Sequence, residues 1–355
     1  MTKSHIQPKS FSAALIWLLV AVCSASAEEK KKADSYMGDW KGTVELTDGS
    51  KVDAAVRMIA LGDGRYRARM FSNFMTREEV TAEMTGTFRN DHLQMIDVPL
   101  TESSIVSYSD QGFVVGGSFV NGKFADGKLT GTIKGKRSGT FELQQRSFTS
   151  ATIGMKPPAG ATVLFDGSNL EHWSKRVKPE QEAQPAAWKI VDGELEVNGT
   201  GDMMTRETFG DHLLHLEFRT PFMPYASGQG RGNSGVYLQA RYELQVLDSY
   251  GLDGADNECG GIYQIARPDV NMCLPPLEWQ TYDISFRAAR FDDSGNKTEN
   301  AKITVKHNGM IIHEDLELPK VTGGAYTADE SQPGALLLQD HGNPVRYRNI
   351  WIVKK

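Results

Sequence analysis

The stretch "RGNSGVYLQARYELQVLDSYG", residues 231–251, decides how this chain is read. Taken as extended backbone, its side chains alternate between two faces. Gln239, Arg241, Glu243 and Gln245 then share one side, and Ala240, Tyr242, Leu244 and Val246 share the other. The apolar side suits a sheet interior. Four polar residues in a row, two of them oppositely charged, make the other side a candidate site floor.

The same alternation runs outward in both directions. From residue 161 to the C-terminus, short β-like runs such as "ATVLFD", "DHLLHLEFRT", "WQTYDISFRAARF", "AKITVKHNGMIIHED", "GALLLQDHG" and "VRYRNIWIVK" are separated by turns. Ten or more strands in that length predict a two-sheet jelly roll. Residues 36–148 alternate in the same way, with turn signals in "TDGS", "GDGR" and "ADGK". They predict seven or eight strands in a small antiparallel barrel or sandwich whose last strand, "GTFELQQR", returns to the first, "GDWKGTVEL". Residues 149–160 hold Pro157 and Pro158 and read as a linker, because paired prolines cannot join a hydrogen-bonded ladder.

Residues 1–27 read as an export signal: Lys3 and Lys9, then an apolar run, then "ASA" ending at Ala27. The run is too short to span a bilayer, and no later segment is apolar enough to try. The expected location is therefore periplasmic or extracellular, with residues 28–35 a charged tether. Val22 stands before Cys23 where a lipid-acceptor cysteine would follow a small residue. Loss of Lys3 and Lys9 takes the formal charge from −6 to −8. With no basic stripe, nucleic acid is not an expected partner. Cys259 and Cys273 remain, and in an exported chain such a pair predicts a disulfide, with two buried thiols as the alternative.

The ordered set "VLFDGSNLEHW", "LHLEFR", "GNSGVYLQARYELQVLDSYG", "WQTYDISF", "ITVKHNGMIIHED" and "GALLLQDHGNPVRYRNIWI" resembles the 3-keto-disaccharide (3-keto-glucoside) hydrolase family over residues 161–355. The resemblance implies a concanavalin- or laminarinase-like jelly roll acting on sugars whose C3 hydroxyl is oxidised to a ketone. That ketone acidifies the C2 proton. A base can remove it, the enolate can expel the C1 substituent, and water can then add to the unsaturated sugar. Residues 36–148 lie outside the resemblance.

Glu243 is the first candidate for the base, Arg241 for the group that steadies the enolate oxygen, and His341, in "QDHGNP", for a further catalytic role. Gln239, Gln245 and Asp248 follow as substrate contacts. Glu217 and Arg219 join them if "LHLEFR" neighbours the opening strand, and Tyr263 and Trp279 could stack on a sugar ring, as could Trp173. Solvated cross-strand charges, a turn-forming Asp248 and core aromatics are the structural alternatives. The residues specify no cofactor with certainty. A divalent metal is left open, with Glu243, Asp248 or His341 as ligands, and the acids Asp253, Asp256 and Glu258 match no Ca²⁺-loop signature. His212 and His215 fall on opposite faces of one strand, so one zinc could not easily take both. His172 and His313 read as surface residues. Two further functions compete: a non-catalytic carbohydrate-binding module, and a β-glucanase. The latter needs paired carboxylates, yet Gln245 stands two residues after Glu243.

Overall fold

The computed structural model describes residues 34–71, 74, 80–98, 118–135, 138–178 and 181–355. The export segment with Cys23, most of the tether and most of the expected strand at 112–119 lie outside them. Among the described residues every regular element is a strand, apart from one 3-10 turn at Gly228–Gly230. Among the described residues no helix is long and apolar enough to cross a membrane.

The first eight strands, from Gly38–Leu46 to Gly139–Arg146, form a closed antiparallel barrel in simple sequence order. Closure comes from the pairing expected from sequence, with Val44 opposite Phe141 and Trp40 opposite Gln145. The inward positions are apolar: Met58, Met84, Leu93, Met95, Leu129 and Phe141 line a residual cavity of about 50 Å³.

The remaining strands stack two sheets. The front sheet runs Gln184–Pro185, Trp173–Lys175, Met203–Phe209, Gly334–Leu338, Ser234–Leu238, Tyr242–Val246. The back sheet runs Lys189–Val191, Glu194–Glu196, Arg346–Lys354, His212–Arg219, Gln280–Arg287, Ala301–His307, Met310–Leu318, with Thr162–Phe165 paired to Arg346–Lys354. Between them lies the core of the jelly roll, including Trp173, Leu214, Phe218, Tyr242, Leu244, Tyr282, Phe286 and Ile352.

Three two-residue hairpin turns fall on Asp-Gly or Asn-Gly pairs. Asp126–Gly127, Asp192–Gly193 and Asn308–Gly309 all take positive φ at both positions, as a tight hairpin with the sheet's twist requires. A three-residue turn within the opening stretch was not expected. Gln239 and Ala240 stand at φ 51° and 53°, so the opening stretch is a hairpin of Ser234–Leu238 and Tyr242–Val246 rather than one long strand. Neither residue is favoured there. The Phe209 carbonyl accepting from Gln239 Nε2 at 2.9 Å, and the Tyr326 N–H donating to Ala240 O at 2.7 Å, hold the turn from outside.

The connector after the barrel is bound to the back sheet rather than loose. The Gly154 N–H donates to Glu217 Oε1 at 2.6 Å, Thr152 Oγ1 donates to Asp283 at 2.6 Å, and Asn349 Nδ2 and Trp351 Nε1 both donate to Met155 O. Cys259 and Cys273 are buried free thiols hydrogen-bonded to each other, where a disulfide was expected. Cys259 Sγ lies 3.2 Å from Tyr282 Oη, and Cys273 Sγ lies 3.6 Å from Leu247 O.

Candidate active site on the front sheet

The hairpin places Tyr242, Leu244 and Val246 in the core, so Glu243 and Gln245 face the outer side of the front sheet. Pairing then aligns residues across strands. Met204, Leu337, Tyr237 and Glu243 form one row, and Gly235 and Gln245 sit in the next. Gln339 extends that second row, its N–H donating to Gly235 O at 2.9 Å. The Glu243 end is covered. Thr322 Oγ1 accepts the Glu243 N–H at 2.9 Å and donates to Arg241 O at 3.0 Å, which ties the segment after residue 321 over the hairpin.

Glu243 is 3% exposed, and burial, opposed by Tyr237 and aided by the Asp202 carboxylate, pushes its pKa up to about 7. Tyr237 Oη donates to Glu243 Oε2 at 2.8 Å and stands 3.1 Å from Gly323 O, while Gln339 Nε2 donates to the phenol at 3.2 Å. The phenol has one proton for two acceptors. When Glu243 is protonated, its O–H can donate to Tyr237 and the phenolic proton can turn to Gly323. Both charge states of the acid therefore keep their hydrogen bonds. Burial and the Glu243 charge hold the phenol well above its ordinary pKa, so it remains a donor.

Asp202, at the end of the second row, pairs with Arg176 at 2.9 Å and accepts the Asp340 N–H at 2.8 Å. Arg176 and Tyr326 line an open cleft of about 440 Å³ with Lys175, Lys178, Gln181 and Gln184. A wider cleft of about 720 Å³, lined by Gly62, Asp63, Tyr66, Phe222 and Tyr225, lies where barrel and jelly roll meet and does not include Glu243.

Three amide oxygens in or beside these rows are buried with no partner: Gln245 Oε1, Gln339 Oε1 and Asn233 Oδ1. Two of the amides are oriented by their neighbours. Gln245 Nε2 faces Asn257 O and Gln229 Oε1, and Asn233 Nδ2 faces Gln229 O and Oε1, so in each case the oxygen is the atom left over. Leftover buried acceptors cost about 1–3 kcal/mol each unless a donor meets them. Sugar hydroxyls are such donors.

Gly235 makes room for the acid. A Cβ there would lie 2.5 Å from Glu243 Oε1. Gly235→Ala is expected to displace the carboxylate and lower kcat by about 10- to 100-fold, because misplacing a reacting group by about 1 Å has that effect. Steady-state kinetics beside a melting curve that shifts by only a few degrees would check it.

The other sequence candidates divide. Tyr263 lies beside the acid: its N–H donates to Glu243 O at 3.1 Å, and a Cβ on Gly323 would be 3.0 Å from its ring. Arg241 turns away, donating to Gln239 Oε1 and Gln332 O, and so does not face Glu243. Gln239 belongs to the turn. Asp248 is locked to Arg231 at 2.6 Å, with both residues buried. His341 is exposed in the turn just past Gln339. Glu243, Asp248 and His341 do not converge, and no group of three His, Cys, Asp or Glu among the described residues could hold a metal.

Glu217 and Arg219 are on the back sheet and Trp279 just precedes its strand Gln280–Arg287, so the two polar faces do not merge. Glu217 holds the connector. Its carboxyl is opposed by burial but pulled to about 2 by His215, Asn349, Arg348 and Gly154. Arg219 pairs with Glu194, and Trp279 lies under the guanidinium groups of Arg348 and Arg219 at 3.9 and 5.0 Å. Trp173 is core, donating to Leu164 O. His212 and His215 do face opposite ways, toward Phe286 and Trp351. His172 is exposed, but His313 is buried and donates to Gly260 O at 2.7 Å. Of the acidic loop, Asp253 pairs with barrel Arg69 and Glu258 accepts the N–H groups of Gly254 and Ala255.

Sequence reading missed Tyr237, Asp202, Gln339 and Asn233. Alternation would have paired Tyr237 with Glu243 had Gln239–Ala240 looked like a turn. The other three carry no local signal.

Comparison with known proteins agrees with this architecture. Residues 160–353 match the family described as 3-keto-alpha-glucoside-1,2-lyase-like domain. A candidate glycosyl hydrolase structure from Parabacteroides distasonis ATCC 8503 is 33% identical, with TM-score 0.50, covering 56% of this chain and 85% of that one. Two others from that organism, 19% and 22% identical with TM-scores of 0.41 and 0.38, cover 55% of this chain and 94% and 99% of theirs, an overlap too loose to carry an argument. No curated protein matches. With the match spanning more than half of its residues, the chain belongs to the family of 3-keto-alpha-glucoside-1,2-lyase-like domains, a carbohydrate-active class.

Proposed function

We propose that the protein cleaves 3-keto-glycosides outside the cytoplasm, with Glu243 as the base that removes the C2 proton. The observation that carries this reading is a buried carboxyl poised at about 7 beside a phenol that can follow its change of charge. A base with its pKa near the working pH combines a useful fraction of the ionised form with enough driving force for proton transfer. The ketone draws the C2 electron pair into an enolate. That enolate expels the C1 substituent with its bonding electrons, and the departing oxygen takes a proton from water. The hydroxide left by that water then adds to C1 of the new C1–C2 double bond while Glu243 returns its proton to C2, which restores the base. The leftover oxygens of Gln245, Gln339 and Asn233 accept the sugar's hydroxyl protons, and Tyr263 offers a ring face.

The test is release of aglycone from a 3-keto-glucoside and from its unoxidised parent. Release from the keto sugar alone is expected, rising with pH through about 7 as Glu243 ionises. Release from neither sugar, with glycan binding retained, would instead make the front sheet a binding surface.

A further inference from the structure

The barrel lies outside the matched family region. It meets the jelly roll through Asp63 with Tyr225 and Arg57 with Asn271, and through the loop at residues 250–253, where Arg69, Asp39 and Ile59 all make contact. Arg69 Nη1 donates to Gly251 O and Nη2 to Asp253 Oδ1, each at 2.6 Å. Arg57, 6% exposed, stands 5.4, 5.3 and 5.8 Å from the ring centres of Phe71, Phe74 and Tyr250, and pairs with Asp39 at 3.3 Å. Asp39 accepts the Tyr250 hydroxyl. A Cβ on Gly251 would lie 2.5 Å from Ile59, so the loop backbone sits directly on the barrel wall. Asp253 itself is 78% exposed, so the firm part of the attachment is the buried bond from Arg69 to the Gly251 carbonyl and the Asp39–Arg57–Tyr250 cluster, whose charge-assisted contacts are sheltered from water.

That loop leads to the sugar floor. After Asp253 the chain turns on Glu258 and presents Asn257, whose carbonyl accepts Gln229 Nε2 at 2.7 Å and Gln245 Nε2 at 3.4 Å. The same carbonyl is what leaves Gln245 Oε1 as the free acceptor in the row beside Glu243. The segment then closes along the hairpin, with Gly260 N–H donating to Gln245 O at 3.0 Å.

We propose that the barrel is a positioning module: through Arg69 and the Asp39–Arg57–Tyr250 cluster it holds residues 250–258 so that Asn257 orients the Gln245 and Gln229 amides toward substrate. What those amides meet rests on the sugar-site reading above. Among the described residues, the barrel's inner cavity of about 50 Å³ is lined only by apolar side chains and could hold little more than a water-sized guest. Arg69 touches neither the acid nor the rows. It is a positioning residue.

The experiment compares full-length wild type, Arg69→Ala, Arg69→Lys and Tyr250→Phe by hydrogen exchange and steady-state kinetics. In Arg69→Ala, amides over residues 250–262 should exchange about tenfold faster, with barrel-strand amides unchanged. KM for a 3-keto-glucoside should rise about five- to twentyfold, with kcat within about twofold and the pH profile unmoved. Arg69→Lys should recover part of the loss, because its single charge can reach Asp253 but not both acceptors at once. Tyr250→Phe removes only the hydroxyl and should show the same pattern more weakly, even if Arg69→Ala fails to fold. Exchange equal to wild type over 250–262 in a folded variant would overturn the proposal, as would faster exchange with KM unchanged. If wild type releases nothing from the keto sugar, the sugar reading fails, and the exchange result alone decides whether the barrel holds the loop.

Discussion

Glu243→Gln is expected to lower kcat/KM for a 3-keto-glucoside by about 10³-fold, and to remove the rise in rate through pH 7, since general-base catalysis is worth about 10²–10⁴. The amide keeps the side chain's shape and can still accept from Tyr237, but cannot take the C2 proton. The same substitution should stabilise the protein. A carboxyl whose folded pKa is raised holds its proton more tightly when folded than when unfolded. Between its ordinary value of 4.5 and about 7, the folded state therefore binds more protons, and the stability tied to this group falls as pH rises through that window. Above pH 7 the ionised acid costs the fold about 3 kcal/mol, the free-energy equivalent of that shift. The variant should thus melt several degrees above wild type at pH 8, where about 1 kcal/mol moves a midpoint by about 2–4 °C, and match it near pH 4. Calorimetry at the two pH values, beside the release assay, checks both halves. A variant that loses activity without gaining stability at pH 8 would show that Glu243 is not held uncomfortably in the fold, and would remove the main argument for it as a poised base.

Asp248→Asn is expected to do the reverse: large in stability, small in substrate affinity. Asp248 and Arg231 are 4% and 8% exposed, and their contact at 2.6 Å joins the entry of one hairpin strand to the exit of the other. Burial pushes the Asp248 carboxyl up, and Arg231 opposes it. Removing one partner leaves a buried charge unpaired, which costs about 3–5 kcal/mol. The midpoint should fall by about 10 °C, while the protein that stays folded keeps its KM. Replacing both residues, as Arg231→Met with Asp248→Leu, should recover much of the loss, because a buried ion pair can be exchanged for apolar packing at little net cost. A raised KM with an unchanged melting temperature would instead return Asp248 to the substrate contacts.

While the choice of barrel over sandwich came from the structure, the sequence by itself determined the β character, a first unit whose last strand returns to its first, the second β unit and the family to which it belongs. These follow from period-two alternation, from Asp-Gly and Asn-Gly turns, and from an ordered set of segments, all of which are local or linear properties of the chain. It also singled out Glu243, because an acid between apolar neighbours on a strand is visible wherever that strand ends up. Alternation fixes only which side of its own strand a residue takes. It says nothing of which strands become neighbours, so only the tertiary structure sent Glu217, Arg219 and Trp279 to the back sheet and brought Tyr237, Gln339 and Asp202 to the acid. The Gln239–Ala240 turn was hidden for a related reason. Its positive φ angles are unfavourable for those residues taken alone, and they are held by Phe209 and Tyr326, which lie far away in sequence. Arg241 and Asp248 carried the right chemistry for a site, but their partners, Gln332 and Arg231, were chosen by packing. A buried charge goes wherever the folded chain supplies an acceptor or a counter-charge, and that supply exists only once the sheets have stacked.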